Sequence, residues 1–226
     1  MEEYKIGLVG ATGYVGVELL KLFDEMDNLE VSFVSSSGSI GKNLYEQINE
    51  FKRIPNLQLS SVEDIKEQDL DYVFFATQHN FSMDYVPFLL EKDIKIIDLS
   101  ADFRISNTKM FEKNYNFKHK AKNLLKKSFY SLPELNNQKI DKIRIISNPG
   151  CYPTSIQLPL VPLFKKNLIK TKDIIIDSKS GYSGAGKNLE KKFKHKNLFS
   201  STFAYSTKNH RHISEIDQQF FKLTKR

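Results

Sequence analysis

Four apolar runs recur along the first hundred residues: Lys5–Val9, Val31–Val34, Asp71–Ala76 and Ile94–Leu99. Each is short and rich in Val, Ile, Phe and Leu, which predicts strands. Between them, Val17–Phe23 and Phe81–Leu90 carry apolar residues at helical spacing, with Pro87 bending the second helix or ending one of its turns. A fifth run, Arg144–Ile146, predicts another buried strand, and Ser155–Leu168 after it reads as a helix. Strands alternating with helices indicate βαβ units and a parallel sheet. Elsewhere, residues 49–61 form a loop, residues 106–128 a polar, lysine-rich excursion, and Tyr130–Asn136 a defined turn. Further on, Asp173–Ser178 and Thr202–Ser206 are expected as two more strands, and Ser214 is expected to cap a helix with Glu215 in its first turn.

The first strand runs into Gly10-Ala11-Thr12-Gly13-Tyr14-Val15-Gly16, and a helix follows. A Gly-x-x-Gly-x-x-Gly pattern between a strand and a helix is the context of a dinucleotide-binding turn. Gly10 and Gly13 would let backbone approach a pyrophosphate, Gly16 would let helix and strand pack closely, and the helix N-terminus would stabilise the phosphate charge. A plain tight turn is the simpler reading of the same residues. At the end of the second strand stand Ser35, Ser36, Ser37 and Gly38, with Lys42 shortly after. Hydroxyls and an ammonium, with no carboxylate, suit a ribose 2′-phosphate, so NADP(H) is preferred to NAD as cofactor. The expected architecture is α/β: a Rossmann-type doubly wound parallel sheet over residues 1–150, then an α+β catalytic and substrate domain over residues 151–226.

Candidate chemistry centres on Ser147-Asn148-Pro149-Gly150-Cys151-Tyr152-Pro153-Thr154, which holds the only cysteine of the chain. Gly150 permits a sharp turn and Pro153 is preset for a first helical turn. Cys151 would then sit among outward-pointing backbone N–H groups, which favour thiolate over thiol. A buried, inert cysteine is the alternative. Arg104 presents a planar fork suited to a carboxylate or phosphate, and Asp102 could simply pair with it. Ser180, Gly181, Ser183 and Gly184 form a second glycine-rich stretch able to approach a nicotinamide or phosphates. His210, Arg211 and His212, with Glu215 nearby, offer a proton donor and an anion clamp, or else a polar surface cluster. His79, alone in a loop, is given no chemistry.

Composition changes this picture little. The chain has 226 residues, 40% hydrophobic, with a net charge of +7. The lysines are scattered among Asn, Ile, Phe and Tyr rather than patterned, which argues for compositional bias and against nucleic-acid binding. A single cysteine excludes an internal disulfide, and no metal site is expected. No apolar run reaches transmembrane length and the N-terminal residues lack a signal-peptide layout, so the expected location is a reducing cytoplasm, away from membranes.

Six stretches taken together carry a family resemblance: Gly10–Gly16, Asp98–Arg104, Leu132–Asn136, Asn148–Thr154, Lys179–Gly186 and His210–His212. In this order, they resemble the N-acetyl-γ-glutamyl-phosphate reductases, relatives of the aspartate-semialdehyde dehydrogenases. The resemblance implies an NADP-dependent oxidoreductase of arginine biosynthesis, a small-molecule substrate and a homo-oligomer. It implies that the Cys151 thiolate displaces phosphate from N-acetylglutamyl 5-phosphate, and that hydride transfer from NADPH to the thioester gives N-acetylglutamate 5-semialdehyde. A histidine would serve as acid and base, His212 being favoured over His210, with Glu215 orienting it. Arg104, Asn148 and Arg211 are the substrate-binding candidates. Lys208, Asn209 and Asn80 depart from the family pattern, the last standing where relatives often have glycine. Relatives also continue past the His-Arg-His helix, so the second domain is expected to be incomplete. Two other readings compete: a catalytically silent binding or assembly partner, and another semialdehyde dehydrogenase of the superfamily.

Overall fold

The computed structural model describes residues 2–136, 139–187 and 198–224. Lysines 191, 192, 194 and 196 lie outside the described residues. The chain divides into two compact units, Met1–Pro149 and Gly150–Arg226.

The first unit is built on one sheet. Its strands are β1 (Tyr4–Val9), β2 (Leu29–Ser35), β3 (Tyr72–Phe75), β4 (Lys95–Asp98), β5 (Ser128–Tyr130) and β6 (Ile145–Ser147). All pairings are parallel, in the order β2-β1-β3-β4-β6-β5. Helix α1 (Tyr14–Asp24) connects β1 to β2, α2 (Ser82–Glu91) connects β3 to β4, and α3 (Thr108–Tyr115) lies between β4 and β5. Both faces of the sheet are covered. Ile6 and Leu8 of β1 pack with Leu20 and Phe23 of α1, whereas Val73 and Phe75 of β3 pack with Met83, Val86 and Leu89 of α2. Double coverage explains why these strands read as continuous apolar runs. The order reverses between β1 and β3, so the ends of those two strands form the topological switch point.

One detail differs from the sequence expectation: strand β5 falls at the edge of the lysine-rich excursion, where no apolar run announced it. The helix expected over Phe81–Leu90 is α2, and it runs through Pro87 to Glu91. Buried Met83, Val86 and Leu89 hold that helix to the sheet on both sides of the proline, which offsets the hydrogen bond that Pro87 cannot donate.

In the second unit, α4 (Cys151–Lys165) packs against α5 (Ile213–Thr224), with the Phe164 and Phe220 rings edge to face at 5.1 Å. Helix α4 starts earlier than the sequence suggested and contains Pro159 and Pro162. Neither Asp173–Ser178 nor Thr202–Ser206 is a strand; Ile175 is 95% exposed and has no strand beside it among the described residues. Ser214 does not cap α5 either. It lies inside the first turn, where its hydroxyl donates back to the Arg211 carbonyl at 3.1 Å. Among the described residues no helix is long and apolar enough to cross a membrane.

Candidate active site

The glycine turn sits at the switch point. Gly10 adopts φ +91, and a Cβ there would lie 2.4 Å from the Ala76 carbonyl oxygen, at the end of β3. A Cβ on Gly16 would lie 2.2 Å from the Gly10 oxygen, so α1 crosses the turn at a distance only glycine allows. Gly13 is the residue before α1, with extended backbone and no side chain capping the helix. No acidic residue occupies the first turn of α1, and Tyr14 and Val15 are exposed there. The N–H groups of Gly10 and Ala11 donate to the Ser35 carbonyl, tying the turn to the end of β2. Beside them the Thr12 and Ser36 hydroxyls meet at 2.5 Å, and Ser35 and Ser36 are buried. Lys42 is exposed; its loop is fixed by the Gly41 N–H to the Leu59 carbonyl and the Leu59 N–H to the Lys42 carbonyl. These features fit a dinucleotide: an open helix N-terminus for the pyrophosphate and hydroxyls at the end of β2 for the ribose.

Beyond β4 the buried polar groups hold the framework. The Asp102 carboxylate accepts the N–H groups of Asn80, Phe81 and Met83 and the Ser82 hydroxyl, at 2.6 to 3.2 Å. It therefore anchors the N-terminus of α2, a role the sequence reading did not weigh. Asn80 adopts φ +62 in that bend, a left-handed conformation that asparagine tolerates better than most residues. Asp98 is fully buried, and desolvation, followed by the nearby Asp102 charge, pushes its carboxyl up to about 7. Arg104 is buried rather than presented to solvent. Its Nε–H donates to the Asn148 carbonyl and an Nη–H to the Leu99 carbonyl, both at 2.6 Å. The Asn148 N–H in turn donates to the Asp98 carbonyl. His79 accepts the Ala101 N–H on Nδ1, a structural bond.

In the second unit, Cys151 is the first residue of α4 and its thiol is exposed. Gly150 precedes it with φ −68, backbone that any residue adopts, so the turn does not draw on glycine's special freedom. The Gly150 N–H donates to Oε1 of Glu215 at 3.0 Å, and Glu215 is fully buried. Helix α5 thus reaches the start of α4 through a carboxylate. His210 and His212 gather around Tyr152, with ring centroids 5.3 and 6.1 Å from the tyrosine ring and 4.9 Å from each other. The His212 backbone N–H donates to Nδ1 of His210 at 3.2 Å. Burial, and then the Arg211 charge, lower the affinity of His210 for a second proton. His212 is buried and Arg211 exposed. Tyr205 adds a further ring, 5.5 Å from His210, and its hydroxyl is hydrogen-bonded to Tyr152. Burial and that bond push the Tyr205 phenol upward, and the Cys151 charge acts in the same direction. Neither tyrosine was a sequence candidate; the signal available was Tyr152 adjoining the lone cysteine. Ser180, Gly181, Ser183 and Gly184 are exposed in a tight turn, where a Cβ on Gly184 would lie 2.7 Å from the Ser180 Oγ.

A parallel sheet with a glycine turn at its switch point, followed by a cysteine that begins a helix and a His-Arg-His turn, defines the class. The chain belongs to the semialdehyde dehydrogenase family: its NAD binding domain matches residues 5–143 and its dimerisation domain residues 151–226. The chain is similar to N-acetyl-gamma-glutamyl-phosphate reductases, at 40% identity to that of Herminiimonas arsenicoxydans over 97% of this chain and 64% of the relative. The one from Clostridium novyi is 39% identical over 98% of this chain and 65% of its own length. That of Acinetobacter baumannii is 41% identical over 93% and 61%. The chain thus spans under two thirds of the length of these relatives. Among solved structures, aspartate semialdehyde dehydrogenase II of Vibrio cholerae, complexed with ASA, shares the fold with a TM-score of 0.65 at 17% identity, covering 100% of this chain and 67% of the other. The Candida albicans aspartate semialdehyde dehydrogenase with NADP gives a TM-score of 0.53 at 18% identity, covering 73% and 48%.

Proposed function

We propose that this chain carries the NADP-binding and nucleophile-bearing parts of an N-acetyl-γ-glutamyl-phosphate reductase, which converts N-acetylglutamyl 5-phosphate to N-acetylglutamate 5-semialdehyde in arginine biosynthesis. The observation that carries the reading is the exposed Cys151 at the first position of α4, with the His210–His212 turn gathered on the next residue. The names of relatives near 40% identity supply the substrate.

In this reading Gly10, Thr12, Gly13, Tyr14, Val15 and Gly16 receive the pyrophosphate, and Ser35, Ser36 and Lys42 receive the ribose phosphate. When bound, NADPH supplies the hydride for the acyl carbon. Cys151 does the covalent work. Its thiolate adds to the acyl carbon and phosphate departs with the electron pair of its C–O bond, leaving a thioester. After reduction the oxyanion re-forms the carbonyl and expels the thiolate, releasing the aldehyde. His212 moves the proton, because neutral His210 is held as acceptor of the His212 N–H through Nδ1. Exposed Arg211 takes the anionic end of the substrate, while the bonds of Arg104 give it a framework role beneath Asn148. Ser180, Gly181, Ser183 and Gly184 are assigned to the cofactor, and a homo-oligomer is expected from the dimerisation-domain match.

The test is NADPH oxidation with N-acetylglutamyl phosphate, beside Cys151→Ser. Turnover abolished by the substitution supports the reading. Wild-type protein that folds and binds NADPH yet reduces no acyl phosphate overturns it for this chain.

A further inference from the structure

The residues on both sides of Cys151 are attached to the same stretch of chain. Before it, the Gly150 N–H is held by Glu215 of α5 at 3.0 Å. After it, Tyr152 presents its ring to His210 at an interplanar angle of 89° and to His212 at 61°. Tyr205 closes the group, 6.3 Å from Tyr152 and 5.5 Å from His210, and is hydrogen-bonded to Tyr152. Four rings therefore share one cluster, and Tyr152 touches the other three. We propose that Tyr152 is a positioning residue: its ring, the next along α4 from the nucleophile, sets where the His210–His212 turn stands relative to the thiol. This role rests on the function proposed above, although its geometry does not.

The chemistry supports a ring rather than a hydroxyl as the active feature. Edge-to-face packing constrains both the distance and the tilt of a partner ring, which aliphatic contact does not. Tyr152 also stands edge to face against His210, with centroids 5.3 Å apart. A buried imidazole is disfavoured as a cation, and His210 has a second reason to stay neutral. Its Nδ1 accepts the His212 N–H, and a protonated ring would turn that acceptor into a donor. The groups facing His210 are Tyr152, Tyr205, His212 and the cation of Arg211; of these, only Arg211 adds to the burial in lowering its proton affinity. Removing the Tyr152 ring admits water to His210, loosens the turn and frees His212 from its place beside the helix start.

The experiment follows the histidine ring protons by NMR across pH in this chain, as wild type, Tyr152→Phe and Tyr152→Leu, with the rate of Cys151 alkylation by iodoacetamide measured in parallel. Expected are nuclear Overhauser contacts from the Tyr152 ring to both histidine rings in the wild type. Tyr152→Phe should keep the His210 titration and the pH profile of alkylation. In Tyr152→Leu the His210 midpoint should move up toward that of an ordinary histidine, and the alkylation profile should shift. Absence of the ring contacts in the wild type overturns the proposal, and this holds even if Tyr152→Leu does not fold. So does a folded Tyr152→Leu whose titration and alkylation match the wild type. Neither readout uses turnover, so failure of the proposed reductase activity leaves this result separate. Where turnover is found, Tyr152→Leu should lower kcat more than it raises KM, with Tyr152→Phe close to wild type.

Discussion

Replacing Gly10 by alanine separates the structural role of the glycine turn from its binding role. At φ +91 a side chain is strained, at about 1 kcal/mol. The new Cβ would also sit 2.4 Å from the Ala76 carbonyl oxygen, which belongs to backbone and cannot swing away. Forcing β1 and the end of β3 apart adds about 2 kcal/mol, by analogy with overpacked cores. The sum, about 3 kcal/mol, corresponds to a fall in Tm of roughly 6–12 °C for a chain of this size. Gly13→Ala is the control. Gly13 has φ −70, and its added Cβ would meet only the Gly10 oxygen at 3.4 Å. That variant should melt within about 2 °C of wild type, as tolerated substitutions do. Its methyl group would nonetheless face the open helix N-terminus, so NADPH binding should weaken by about tenfold or more, equivalent to 1.4 kcal/mol. Differential scanning fluorimetry reads the first quantity, and quenching or calorimetric titration with NADPH reads the second. A Gly10→Ala protein that melts with the wild type would refute the close approach of β1 and β3. A Gly13→Ala protein with unchanged NADPH affinity would refute the placement of the pyrophosphate.

Three further outcomes follow from the buried polar groups. Asp98 has a folded-state value of about 7 against 3.8 for the free carboxyl, so the folded state holds the proton more tightly and stability falls as pH rises from about 4 to 7. The full shift corresponds to about 4 kcal/mol, and urea unfolding of Asp98→Asn should lack most of that decline; an equally steep decline in the variant would show that Asp98 is not its source. Asp102→Ala leaves the Asn80, Phe81 and Met83 N–H groups without their acceptor, and should cost about 3 kcal/mol or more, with faster amide exchange at those positions; normal exchange there would remove Asp102 from the role of helix anchor. Arg104→Lys cannot reach both Asn148 and Leu99 with one ammonium, so denaturant stability should drop by about 1–3 kcal/mol. Unchanged stability with a raised substrate KM would return Arg104 to the substrate.

What was legible in the sequence was local. Doubly covered strands need apolar side chains on both faces, so β1 to β4 declared themselves as runs. The glycine turn did so because a Cβ on Gly10 or Gly16 would lie within 2.4 Å of a backbone oxygen, so only glycine fits there. Strand β5 was hidden because it has only three residues and buries little; Ser128, Phe129 and Tyr130 are only half-buried. The roles of Asp102 and Arg104 were hidden for a different reason. A buried carboxylate and a buried guanidinium have the same letters as exposed ones, and only the fold decides that their partners are backbone groups. The cluster around Cys151 was legible as chemistry-bearing letters, yet its centre is Tyr152, whose neighbours come from the far side of the unit's sequence.

The segment Asp173–Ser178 makes the opposite error instructive. Ile174, Ile175 and Ile176 have strong strand propensity, but propensity in β structure reflects packing on a pleated surface rather than a backbone preference. A strand also requires a neighbour to receive its N–H and C=O groups. Here the Ser155 hydroxyl of α4 and the Ser178 hydroxyl approach at 3.4 Å, and Ile175 stands in solvent. Three consecutive exposed isoleucines are a surface on which a further strand could pair. If pairing is what these residues await, amide exchange across Ile174–Ile176 should be fast in the isolated chain. It should slow in any assembly that supplies a strand, while exchange in β1 and β3 stays unchanged. Slow exchange at Ile175 in the isolated chain would mean that the segment already has a partner, and the reading of an unpaired segment would fail.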